Sequence, residues 1–182
     1  MNGNLKTQNS KLKTTAPILG FTLIEILVVV VLLGVLAAIV IPAIAKSSTS
    51  AKESAVATDL QLLRRFILIY KCQHLEIGPG YPNGQAAQAP TEDAFVEQAT
   101  MASNASGQTA DPGTAGFNRG PYLMKIPVNP LINLSGVQML GNNEDFPADA
   151  DNSHGWIYKA ATCEIRADST GSDDNGKRYY DY

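Results

Sequence analysis

One long apolar stretch near the N-terminus dominates the hydrophobic pattern. From Ile26 to Ala45 there are 20 residues without a charge, and Phe21 to Ile24 extend the stretch upstream, with Glu25 the single acid inside it. As a helix rising about 1.5 Å per residue, the uncharged part spans roughly 30 Å, the hydrocarbon thickness of a bilayer. The pattern then turns periodic. Val56, Leu60, Leu63, Ile67 and Tyr70 recur at intervals of four, three, four and three, the signature of one buried helix face. Leu62, Phe66 and Ile69 are expected to widen that face. Neither Gly nor Pro occurs between Ala43 and Ile77, so one continuous helix is predicted through the segment. Pro42 removes one backbone hydrogen bond inside it and should loosen or bend it locally. The helix should stop near Gly78-Pro79-Gly80.

The remaining chain reads as a small head. Thr91 followed by Glu92 and Asp93 gives an N-cap and two acids for a short helix to about Thr100. Residues 103–118 are small and polar and read as a loop. Strand patterns follow at Val137–Leu140, Trp156–Ala160 and Cys163–Ala167, the last two close enough for a hairpin. Strands gathered after one helix suggest an antiparallel sheet. The expected class is α+β: a long N-terminal helix, transmembrane in its first half, with a small antiparallel head on its second. Asp168–Gly176 reads as a solvated acidic loop.

Composition narrows the function. The chain has 182 residues, 14 Lys+Arg against 17 Asp+Glu and a formal charge of −3. No more than two basic residues are adjacent, so no nucleic-acid contact is expected. Lys6, Lys11 and Lys13 precede the apolar stretch with no acid among them. This bias orients the N-terminus to the cytoplasm and the head to the other side of the membrane. A plain secretory signal is the competing reading, with Ala43-Ile44-Ala45 as its cleavage site before Lys46. Its apolar region should run about 7–15 residues, and Glu25 would cost about 2–3 kcal/mol at the bilayer centre.

The residues around Glu25 carry a more specific signal. Gly20-Phe21-Thr22-Leu23-Ile24-Glu25 resembles the prepilin cleavage motif of type IV pilins and type II secretion pseudopilins. The resemblance implies cleavage after Gly20 by a prepilin peptidase, methylation of the new terminus at Phe21, and assembly positions at Glu25 and Pro42. Gly120-Pro121-Tyr122-Leu123, Ile126-Pro127-Val128-Asn129-Pro130 and Gly155-Trp156-Ile157-Tyr158 look like the body of G-type pseudopilins. The implied organisation is a basic leader (1–20), a transmembrane and assembly helix (21–45), its outer half (46–77) and a periplasmic or extracellular head (78–182). The implied product is a homo-oligomeric helical fibre, with other pseudopilins, an inner-membrane platform and its ATPase as partners. A surface pilin for adhesion, motility or DNA uptake is the alternative within the class. A membrane-tethered binding module that never polymerises is the alternative outside it.

Enzyme chemistry is not expected. The chain has no HExxH, GxSxG, Walker loop or GxGxxG. Cys163 and His154 could be imagined as a nucleophile and base, but nothing supplies an oxyanion site. Cys72 and Cys163 are either two small apolar residues or a disulfide joining the helix end to a strand, and an oxidising compartment would permit the bond. Asp149, Asp151 and Ser153 alternate like the start of a calcium loop. His154 stands where that loop needs Gly, and the closing Glu is missing. Asp168, Asp173, Asp174 and Asn175 form a second oxygen-rich group. G-type pseudopilins carry a calcium site in their C-terminal loops, so the resemblance makes calcium a candidate. The residues themselves read as a solvated loop with no metal or other cofactor.

Overall fold

A computed structural model describes residues 20–182. The leader lysines Lys6, Lys11 and Lys13 lie outside the described residues. The chain divides into two compact units, the first ending at Ile44 and the second running from Ala45 to Tyr182. The boundary falls within one helix, α1 (Leu23–Gln73), which contains Pro42. In the first unit α1 has no protein cover: Leu23, Val28, Leu32, Leu36, Ile39 and Ile44 are all exposed.

The second unit is built on the periodic stripe. Val56, Leu60, Leu63, Phe66, Ile67 and Tyr70 are 0–2% exposed, and each such burial contributes about 1.5–3 kcal/mol over an exposed position. Leu62 and Ile69 depart from expectation and stay in solvent, 44% and 37% exposed. The head covers a narrower arc of α1 than the apolar residues span. The helix also ends before Gly78. Leu75 and Glu76 both take positive φ, 56° and 62°, and the Glu76 and Ile77 N–H groups donate to Lys71 and His74 carbonyls. Two left-handed residues in succession stop a right-handed helix without any glycine.

Helix α2 (Glu92–Thr100) starts where expected, with Thr91 Oγ1 accepting from the Ala94 N–H at 3.3 Å. Two short strands, β1 (Ala102–Ser103) and β2 (Thr109–Ala110), pair antiparallel, β1 at the start of the stretch expected to be loop and β2 within it. The main sheet holds β3 (Val137–Leu140), β4 (Trp156–Lys159) and β5 (Glu164–Ala167) in the order β3-β4-β5. β4 and β5 form the expected antiparallel hairpin, whereas β3 and β4 run parallel, Val137 opposite Trp156. The sheet is therefore mixed. The connection over 141–155 is long enough to return the chain to the same end of the sheet, which a tight turn cannot do.

Both faces of the sheet are covered. Val137, Trp156, Tyr158, Ile165 and Ala167 join the α1 stripe, Phe95 and Ala99 in the main core. On the other face Leu140 and Ile157 pack with Tyr180, flanked by Phe146 and Ala150. The C-terminal segment is thus part of the structure. Asp168 and Ser169, expected in a solvated loop, are 0% and 1% exposed.

Candidate functional site

The N-terminal end of α1 carries the motif residues. Gly20 is exposed, and a side chain built there would meet nothing within 4 Å. Phe21 is 81% exposed. Thr22 and Glu25 then close a reciprocal cap: the Thr22 N–H and hydroxyl both donate to Glu25 Oε2 at 2.8 Å, and the Glu25 N–H donates to Thr22 Oγ1 at 3.3 Å. This is a capping box, in which two otherwise unpaired helix donors are satisfied together. Glu25 thus has a local partner at the helix N-terminus of its own chain. The signal was available in Thr22-x-x-Glu25.

Apart from Glu25, α1 is apolar around its whole circumference from Leu23 to Ile44, and its large apolar side chains are 48–85% exposed. A helix of that kind is not stable bare in water and needs lipid or other helices against it. Its length, about 33 Å at 1.5 Å per residue, suffices to cross a bilayer.

The body motifs meet inside the head. The Trp156 indole N–H donates to the Pro127 carbonyl at 2.9 Å. Asn129 is fully buried; its amide donates to the Gly155 carbonyl at 3.0 Å and Ser169 Oγ at 2.8 Å, while its Oδ1 accepts from the Leu131 N–H. Gly155 is held so close to the Leu134 carbonyl that a Cβ would collide with that oxygen. Gly155-Trp156 and Pro127-Asn129 are therefore one interlocked unit.

No family model matches the chain, and no solved structure matches it. Curated relatives do. The type II secretion system core protein G of Pseudomonas aeruginosa is 33% identical over 114 residues, covering 63% of this chain and 68% of that protein. The protein of the same name from Klebsiella pneumoniae is 32% identical over 111 residues, covering 61% and 67%, and that of Escherichia coli is 28% identical over 114 residues, covering 63% and 67%. The chain belongs to the family of type II secretion system core protein G. It is a pseudopilin of the G type, with the α+β class its sequence implied.

Within this pseudopilin the other candidates separate. The Cys72–Cys163 bond is not formed: both thiols are free, Cys72 exposed on the last turn of α1 and Cys163 half-buried in the β4–β5 turn. Cys163 Sγ instead donates to the Ala160 carbonyl at 3.6 Å. His154 and Cys163 lie beyond opposite ends of β4, and His154 Nδ1 bonds Ser153 Oγ at 2.8 Å. His74 is buried and structural. It stacks on Tyr70 at 3.8 Å, with Nδ1 2.7 Å from the Tyr70 carbonyl and Nε2 2.9 Å from Ser103 Oγ. Burial pushes its pKa below the usual imidazole value; the nearby Arg119 charge adds to this and the Tyr70 carbonyl opposes it.

Proposed function

We propose that the chain is a structural subunit of a type II secretion pseudopilus, cut after Gly20, methylated at Phe21 and polymerised through the N-terminal part of α1. The observation that carries this reading is the exposed helix from Leu23 to Ile44, apolar save for Glu25, directly behind an accessible Gly20. One surface serves two solvents: lipid before assembly, and neighbouring helices in the fibre. The subunit spans the inner membrane once, with its N-terminus cytoplasmic and its head periplasmic. Its partners are copies of itself, other pseudopilins, the prepilin peptidase, and the platform with its ATPase. The name shared by the relatives supports the secretion fibre over a surface pilus. Work is done by the partners, and the subunit contributes packing and a surface. Loss of the leader removes three lysines and no acid, taking the formal charge from −3 to −6, which favours a soluble fibre surface.

Cleavage frees an α-amine at Phe21, mostly charged near neutral pH. In a fibre the Glu25 carboxylate of one subunit would face the Phe21 amine of a neighbour and set the axial register, because an unpaired carboxylate is costly in a low-dielectric core. N-terminal sequencing and mass spectrometry of the membrane-extracted protein test the reading. The chain should begin at methylated Phe21; a start at Lys46 would return it to an ordinary signal peptide.

A further inference from the structure

We propose that the C-terminal loops of this head are closed without a divalent cation, the Asp168 carboxylate sitting in a nest of backbone amides and the Arg178 guanidinium acting as the built-in cation. A calcium site needs six to eight oxygens converging with free lone pairs. Asp149, Asp151, Asp168 and Asp173 instead accept hydrogen bonds from the protein's own donors. Asp168 Oδ1 accepts from the Asp151 and Asn152 N–H groups at 2.9 and 3.2 Å. Its Oδ2 accepts from the His154 N–H at 2.8 Å and the Ser153 hydroxyl at 3.4 Å. Four donors on two oxygens use the acceptor capacity of a carboxylate. The positive φ of Asn152, 61°, helps turn successive amides inward, as in an anion-binding nest. A cation placed there would meet N–H hydrogens.

The neighbouring acids are engaged in the same way. Asp151 Oδ1 accepts from the Ser153 N–H at 2.9 Å. Asp173 accepts from the Asn175 and Lys177 N–H groups on Oδ1, and from the Tyr182 hydroxyl on Oδ2. Among the described residues no three His, Cys, Asp or Glu side chains come together as a metal-holding group. Arg178 meanwhile collects the kinds of oxygen a calcium ion takes. Its Nε and Nη2 donate to the two oxygens of Asp181 at 2.7 and 3.0 Å, and Nη1 donates to Asp149 Oδ1 at 2.8 Å and the Ala148 carbonyl at 3.3 Å. One guanidinium thereby ties the C-terminal segment to the loop between β3 and β4. Its fork geometry suits two carboxylates at once.

The test is thermal unfolding of the full chain in detergent, with calcium or with excess chelator, alongside terbium titration read through tyrosine-sensitised emission. The parent chain should unfold within about 1 °C in the two conditions, whereas an occupied site at a hundredfold excess over its Kd would separate them by roughly 10 °C. Terbium should give no saturable signal. Arg178→Gln should lower the midpoint by a few degrees, equally in calcium and in chelator. A calcium-dependent rise of the parent's midpoint, or a saturable terbium signal abolished by Asp168→Asn, would overturn the cation-free loop. An unchanged midpoint for Arg178→Gln would overturn the role of the guanidinium. Neither readout depends on fibre formation, so the result is separable from the pseudopilus reading.

Discussion

Thr22 and Glu25 bond each other reciprocally at the start of α1, so the single acid of the apolar helix already has a partner in its own chain. Local capping is what the structure shows, pairing with a neighbour's amine is what is proposed, and substitutions separate the two. Thr22→Ala removes the cap at a cost of about 1 kcal/mol at an exposed helix start and should leave fibre yield near that of the parent. Glu25→Ala should still insert and still be cut after Gly20. Under the proposed pairing it would leave a neighbour's amine buried without its counter-charge, so yield in sheared fractions should fall by more than an order of magnitude. Equal yields for the two variants would reduce Glu25 to a capping residue.

The free thiols make a second prediction. Without reductant, Cys72 should alkylate at once and Cys163 more slowly, following exposed and half-buried positions. Mass spectrometry of exported protein should find no peptide pair joined through them. Cys163 also sits at φ 59°, where a non-glycine residue costs about 1–2 kcal/mol. Cys163→Gly should remove that cost but lose the Sγ hydrogen bond and the packing of the thiol against the main core, so the denaturant midpoint should stay near that of the parent.

Asn129 is the third. Replacing it with Ala leaves the Leu131 N–H and the buried Ser169 hydroxyl without that partner, while the Gly155 carbonyl keeps the Asp168 N–H, and each loss costs about 1–3 kcal/mol. A drop of at least about 2 kcal/mol in unfolding free energy should follow, read from urea titration of the full chain in detergent.

His74 gives the pH dependence. Its folded pKa lies below the usual value because burial disfavours the imidazolium, so the unfolded chain binds the proton more readily. Stability should therefore be intact above about pH 6.5, the unfolded value, and decline as pH falls below it. Asp151, Asp173 and Asp181 have lowered pKa values through their hydrogen bonds, and add a further loss of stability only below about pH 4. His74→Gln should flatten the change between pH 7 and 5.5 in a denaturant-midpoint series.

The sequence by itself determined the elements whose information is local. Twenty uncharged residues, a stripe of alternating threes and fours and a Thr91 cap each encode a helix through neighbours one turn away, and α1, α2 and strands β3 to β5 lie where those patterns put them. The run of six residues that resembles a prepilin cleavage motif is equally local, and so is the Thr22–Glu25 cap. Tertiary structure decided whatever depended on partners far along the chain. The parallel register of β3 and β4 depends on a long connection that carries no periodic signal. Leu62 and Ile69 are as apolar as Leu63, yet only the arc reached by the head is buried. Cys72 and Cys163 lie ninety-one positions apart in sequence, and no spacing rule states which way their side chains point. Asp168 looked like one acid among several in a polar stretch; the turn at Asn152, brought over it by the fold, directs backbone amides onto its carboxylate and buries it.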